Sequence, residues 1–273
     1  MDALDSLRFI FSHPLNRGRP VSTAARILGW QLRSRLTPVV PVDFANGARL
    51  LVSRRMYGAT GNVYCGLHEF EEMSFLLHFL RPGDVFADVG ANVGTYSMLA
   101  ASVGAQAVAF EPGERFADLK RNVGHNGYPV DCREAAVGDR NGSIGFTVGL
   151  DATNHVVEDD KAGATVPLVR LDDAVEHATL IKVDTEGFEA AVVAGGRRVF
   201  AQASAAILEL DAATDADPMR TLAAMGYRPI SYDPFTRQVR PFHKAGNNSI
   251  LVRVDPADRL RRAPPYLLRG RAI

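Results

Sequence analysis

The sequence predicts a doubly wound α/β fold, an open and mostly parallel sheet with helices on both faces. Three stretches predict it. Residues 84–94 (DVFADVGANVG) carry a short apolar run through two glycines into a segment, with Tyr96, Met98 and Leu99 among alanines, that reads as a helix. Residues 105–110 (AQAVAF) are a second short apolar strand, ending in Glu111-Pro112. Residues 180–189 (LIKVDTEGFE) are a third, opening onto Asp184, Thr185 and Glu186. Ligands of such sheets bind outside the carboxyl ends of the strands, so these three tips are where chemistry is expected.

The other elements follow in order. Residues 1–36 carry six arginines (Arg8, Arg17, Arg19, Arg26, Arg33, Arg35) against Asp2 and Asp5, and residues 24–35 fall near helical spacing after Ser22 or Thr23. A basic amphipathic helix either packs on the domain or a neighbouring subunit, the commoner case, or lies on an anionic membrane; the basic tail after residue 255 keeps the second reading open. Residues 38–52 read as a hairpin turning at Asn46-Gly47. Residues 64–80 read as one helix, with His68, Glu69 and Glu72 most simply as solvated side chains. A helix over 114–122, a strand over 129–138 and a hairpin through Ile144, Phe146 and Val148 come next. Residues 149–164 are polar and irregular, a length that suggests a flap over the substrate, with Asn154 and His155 as its distinctive groups. A helix over 188–200 is weakened at Gly195-Gly196; a strand over 205–211 ends in Glu209 and Asp211. A helix over 218–225 and strands over 228–232 and 249–254 close the pattern. Three regions result: an extension (1–60), a core domain (61–255) and a basic tail (256–273).

Composition sets limits. The chain has 273 residues, 47% of them hydrophobic, with 31 basic and 31 acidic side chains. A sizeable core is available, and overall charge gives no nucleic-acid footprint. Cys65 and Cys132 have neither CxxC nor zinc spacing and read as buried thiols of a reducing, cytoplasmic compartment.

The glycine corner is not a dinucleotide fingerprint. Its spacing is G-x-x-x-G, with Asn92 where G-x-G-x-x-G places the second glycine, and Asp88 stands two residues before Gly90. A carboxylate there repels a pyrophosphate but suits a ligand carrying an ammonium and a sulfonium, as S-adenosyl-L-methionine (SAM) does. Glu111, 21 residues beyond Gly90, is placed to accept hydrogen bonds from ribose hydroxyls of either cofactor type.

With these residues in view, the chain resembles the FkbM-type family of SAM-dependent methyltransferases. DVGANVGTYS (88–97), AFEP (109–112), AAVGD (135–139), IKVDTEGFE (181–189) and NNSILV (247–252) are similar to that family's blocks. The resemblance spans roughly residues 82–254. It implies a class I methyltransferase Rossmann-like fold, a seven-stranded mostly parallel sheet with an antiparallel last strand pair. It also implies that Asp88, Gly90, Asn92, Val93 and Gly94 hold the methionine part of SAM, that Glu111 and Pro112 border the ribose, and that Glu134 and Val137 border the adenine. Asp184 and Glu186 would line the methyl-transfer site. Family members methylate hydroxyls on sugars and natural products, so a small-molecule or glycan hydroxyl is the expected acceptor.

A hydroxyl acceptor must lose its proton, and Asp184, Glu186 or His155 could accept it. Asp184 is favoured because a strand end fixes it better than a flap. Four acids at adjacent strand ends could instead hold a divalent cation, although capping and salt bridges to Lys182 or Arg197 are the commoner use of such acids, and no metal is expected. A nicotinamide-dependent oxidoreductase or epimerase, or a non-catalytic protein retaining the fold, are the competing classes. A homo-oligomer is compatible with the sequence.

Overall fold

The computed structural model describes residues 3–147, 156–157, 163–209, 216–243 and 248–273. The chain opens with helices α1 (Ala3–Ser12) and α2 (Pro20–Leu36) and a hairpin of strands β1 (Val40–Asp43) and β2 (Arg49–Val52). Pro20 starts α2 at the position where its missing N–H costs nothing. The hairpin turns where expected, with Asn46 and Gly47 both at positive φ. The single helix expected over 64–80 is two, α3 (Tyr57–Cys65) and α4 (Phe70–Phe79). Gly66 breaks them at φ 92°, a conformation that other residues adopt at a cost, so the apolar periodicity continued across a real corner.

The Rossmann-like core follows: β3 (Val85–Val89), α5 (Thr95–Ser102), β4 (Gln106–Phe110), α6 (Phe116–Asn126) and β5 (Val130–Arg133). The strand expected over 129–138 ends at Arg133. Ala136–Gly138 is a separate strand, β6, in another sheet. Strands β7 (Gly142–Phe146), β8 (Val156–Val157) and β9 (Ala164–Arg170) join it in the order β6-β9-β7-β8. Part of the expected irregular loop is therefore sheet, and β9 was not foreseen; most of the 149–164 stretch, with Asn154 and His155, lies outside the described residues.

A short helix α7 (Leu171–Ala174) leads to β10 (Leu180–Val183), then α8 (Glu189–Gly195) and α9 (Arg197–Gln202), split at Gly196. Gly195 packs so closely on β6 that a Cβ would lie 1.9 Å from the Gly138 carbonyl oxygen. The remainder is β11 (Ala205–Glu209), α10 (Ala216–Ala224), β12 (Arg228–Asp233), β13 (Gln238–Arg240), β14 (Asn248–Val252), α11 (Ala257–Arg261) and a last hairpin, β15 (Leu267–Leu268) with β16 (Arg271–Ala272).

The central sheet has the order β13-β12-β14-β11-β10-β3-β4-β5. Strands β11, β10, β3, β4 and β5 are parallel, and β14 runs antiparallel to both β11 and β12. This is the expected class I arrangement, with β13 added as an eighth, edge strand. Alternate residues feed two cores. Phe86, Leu180 and Ile207 pack with α4 and α5 on one face; Ala87, Ile181 and Leu208 pack with Val192, Phe200 and Leu222 on the other. The chain's two ends belong to this body. Trp30, Leu50 and Val52 share a core with Val93 and Met98, while Leu260, Leu268 and Ile273 join the α4 face.

The sheet reverses its winding between β3 and β10, because β4 and β5 extend from one side of β3 and β10 and β11 from the other. That switch point is where a doubly wound sheet opens a crevice.

Candidate active site

A cavity of about 210 Å³ occupies this crevice. Its floor is the ends of β3, β4, β10 and β11. Gly58 and Asn62 of α3, with His68 and Glu69, line it, as do Val137, Phe146 and Val156 of the second sheet, with Phe188.

The corner after β3 is tightly built. Gly90 and Ala91 donate their N–H groups to the Phe110 carbonyl at 3.0 and 2.9 Å, so the loop is tied to the tip of β4. Gly90 has φ 81°, and a Cβ there would lie 1.8 Å from the Asp184 carbonyl oxygen. Only glycine lets the β3 loop and the β10 tip meet this closely. Asn92 also adopts positive φ, at 50°. Gly94 ends the turn at φ 89°, against Leu119.

Asp88 is 1% exposed. Its Oδ2 accepts a 2.6 Å bond from the Ser97 hydroxyl, and its Oδ1 is buried with no partner among the described residues. Burial raises its pKa, opposed by Lys182 and Ser97. A buried acceptor left open on a cavity wall suits a donor that enters the cavity. Glu111 is nearly as buried, but both its oxygens are engaged: Oε2 accepts the Asn92 N–H at 2.9 Å and Oε1 the Gly113 N–H at 3.0 Å. Burial raises its pKa too, against the pull of those two N–H groups. Gly113 preserves the space beside it, since a Cβ there would meet Phe146 at 2.8 Å and Glu111 Oε1 at 3.1 Å.

The β10 end differs. Lys182 is 2% exposed in the middle of the sheet, and the parallel register sets it directly beside Asp88. Its ammonium donates to Asp184 Oδ2 at 2.6 Å and lies 4.7 Å from the centre of the Tyr96 ring. Burial alone would lower the Lys182 pKa, but Asp184, Glu69 and Asp88 together raise it above its ordinary value. Burial likewise opposes ionisation of Asp184, yet Lys182 and a hydrogen bond shared with Glu209 hold it below the usual carboxylate range. Carboxyl oxygens of Asp184, Glu186 and Glu209 all lie within 4.8 Å of one another, as the sequence suggested for a cluster of strand-end acids.

The loop carrying these acids is held from below. Glu189 Oε1, buried at the start of α8, accepts the Thr185 N–H at 3.0 Å, the Thr185 hydroxyl at 2.9 Å and the Gly187 N–H at 3.2 Å. Glu186 is exposed, with positive φ of 53°.

Of the residues singled out in the sequence, Asp88, Gly90, Asn92, Val93, Glu111, Pro112, Val137, Asp184 and Glu186 line one cavity. Gly94 stands behind it as the residue preceding α5. Glu134 is exposed and borders a separate shallow depression with Gly113, Glu114 and Lys120; Ala135, Ala136 and Val137 edge the main cavity instead. His155 and Asp211 lie outside the described residues. Glu69 is not a solvated side chain: its Oε2 accepts from the Tyr96 hydroxyl at 2.8 Å and its Oε1 from the Asn248 amide. Glu72 is half-buried, and burial beside Glu69 and Glu71 pushes it up to about 7. Lys182 was legible only as a charge interrupting an apolar strand; Tyr96 and Ser97 gave no signal beyond their helix.

Fold and site together define an enzyme of the nucleoside-cofactor class, with an acidic pocket at the switch point. The profile of the methyltransferase FkbM domain matches residues 88–229, just over half of the chain, and the protein belongs to that family. That family is one of methyltransferases, whose cofactor is SAM. A relative in Haloferax volcanii, hexuronic acid methyltransferase AglP, is 28% identical over 154 residues, which cover 54% of this chain and 64% of that protein. Among solved structures, the tRNA (uracil-54, C5)-methyltransferase of Pyrococcus abyssi, in complex with S-adenosyl-L-homocysteine, is 14% identical with a TM-score of 0.45, covering 79% of this chain and 44% of that one. The ribosomal protein L11 methylase of Lactobacillus delbrueckii subsp. bulgaricus is 13% identical with a TM-score of 0.42, covering 69% of this chain and 80% of that one.

Proposed function

We propose that the protein transfers the methyl group of SAM to a hydroxyl of a saccharide acceptor, with Asp184 as the proton acceptor. The observation that carries this reading is the asymmetry of the cavity floor: an open, buried carboxyl oxygen on Asp88 beside a lysine-paired Asp184. The residues fit the cofactor. Asp88 Oδ1 is an unclaimed acceptor for an ammonium group, Glu111 retains lone pairs for ribose hydroxyls after its two N–H contacts, and Val137 offers an apolar border for a purine. When bound, SAM supplies a methyl group already activated by the sulfonium.

The protein's own task is then alignment and proton removal. Holding reactants in line is worth roughly 7–11 kcal/mol, and a positioned base adds about 10²–10⁴-fold. The Gly90–Asp184 contact fixes the distance between the two halves of the floor, and Glu189 fixes the loop that carries Asp184. Lys182 keeps Asp184 ionised so that it accepts the hydroxyl proton. A saccharide acceptor is favoured by the likeness to a hexuronic acid methyltransferase.

Calorimetric titration with SAM and S-adenosyl-L-homocysteine, followed by assay on a panel of oligosaccharides, tests the reading. Binding of both, with methyl transfer to a sugar hydroxyl, is the expected result. Transfer to a nitrogen or a nucleobase, with sugars inert, overturns the acceptor assignment.

A further inference from the structure

We infer that α2 is a docking face for an anionic lipid membrane surface. Among the described residues, twelve large apolar side chains are exposed, and eight of them lie in the first 36 residues. Four form a stripe along α2: Val21 (82% exposed), Leu28 (69%), Leu32 (62%) and Leu36 (76%). At 100° per residue these positions, with exposed Ala25, share one side of the helix. Its opposite side carries buried Thr23, Trp30 and Ser34, and the hydroxyls of Thr23 and Ser34 have no partner among the described residues. A helix that serves only the fold turns its leucines inward and its hydroxyls to water. Here that polarity is inverted, so the leucines add nothing to the core they could have joined.

Charge identifies the occupant. The first 36 residues carry six arginines against two aspartates in a chain whose total is neutral. Arg33 and Arg35 flank the stripe and donate to Pro41 and Gln31, while Arg19 and Arg271 donate to backbone carbonyls where the two ends of the chain meet. Among the described residues, none of these four pairs with a carboxylate. Exposed leucines bordered by uncompensated arginines suit the boundary between acyl chains and anionic headgroups. A second copy docked through the same patch would instead set arginines against arginines.

The helix itself packs on an element of the cavity wall. Gln31 and Arg26 of α2 donate to the Tyr64 hydroxyl at 2.9 Å and the Tyr64 carbonyl at 2.8 Å, and α3, which carries Tyr64, supplies Gly58 and Asn62 to the cavity wall. A docked α2 would hold that wall close to the lipid surface. None of this depends on the identity of the methyl acceptor.

The test is sedimentation of the full chain with vesicles of phosphatidylcholine alone or mixed equally with phosphatidylglycerol. Binding confined to the phosphatidylglycerol vesicles and weakened by salt is expected. L28S/L32S/L36S should reduce it more than about tenfold, and R33Q/R35Q about fivefold per charge removed at low salt. Both variants alter exposed side chains, and SAM affinity serves as the check that each remains folded. Absence of binding to the anionic vesicles, or binding indifferent to the serine variant, overturns the inference. So does a wild-type dimer that L28S/L32S/L36S dissociates without any vesicle binding, which would give the face to a second copy.

Discussion

The two halves of the cavity floor are built from the same residue types and behave in opposite ways. On the β3–β4 half, Asp88 and Glu111 accept only from neutral donors, a hydroxyl and two backbone N–H groups, and burial raises both pKa values although Lys182 opposes it at Asp88. On the β10–β11 half, Asp184 is held by an ammonium at 2.6 Å and its pKa falls. Desolvation acts on all three. What separates Asp88 from Asp184 is which of them the Lys182 ammonium hydrogen-bonds, since a cation in direct contact outweighs one that is only nearby. The first half is thereby suited to receive charge from a ligand, the second to keep a base ionised without one.

The comparison is most directly broken at Asp184. Asp184→Asn keeps the shape and removes the base, so turnover should fall about 10²–10⁴-fold while SAM affinity, read by calorimetry, stays close to wild type. Affinity lost together with activity would move Asp184 to the cofactor half.

Lys182→Met should convert the second half into a copy of the first. An opposite charge this close is worth roughly 1–3 pKa units, so the acid limb of the rate profile should move upward by that amount. The sign follows from linkage: a depressed carboxylate contributes stability above its unfolded pKa and loses it as pH falls through the folded value, so the variant should also lose part of its stability near neutral pH. Lys182→Arg, which retains the charge, should largely restore the profile. Equal pH profiles for wild type and Lys182→Met would remove Lys182 from any role in setting the base.

On the first half, Glu111→Ala should weaken SAM binding roughly 10–100-fold, the worth of one or two hydrogen bonds to a charged acceptor, with turnover at saturating SAM much less affected. Unchanged affinity would refute the ribose assignment. The smallest effect is expected from chelation. With Lys182 supplying the positive charge at Asp184, EDTA should leave activity within about twofold of the untreated enzyme. A loss restored by a divalent cation would instead give Asp184, Glu186 and Glu209 a metal.

Much of the site was legible because strand ends in an open α/β sheet are a sequence feature. An apolar run followed by glycines or acids gave Asp88, Gly90, Glu111 and Asp184 their places before any geometry was known. Glu134 was displaced because a local break after Arg133 sends the following residues to another sheet, and no pattern in PVDCREAAVG marks that transfer. Glu69 was read as solvated because helical spacing says nothing of what another helix and a distant strand bring to it, here Tyr96 and Asn248.

By itself, the sequence determined the winding of the sheet, the strand tips that carry chemistry and the family, since these rest on local periodicity and on residues close in the chain. Only the tertiary structure decided which acids have their pKa raised and which lowered. That depends on Lys182 lying beside Asp88 in the parallel register and within 2.6 Å of Asp184, and on Gly90 meeting the carbonyl of a strand nearly a hundred residues away. Electrostatic free energy at short range is set by distance and burial, and neither is written in the order of the residues.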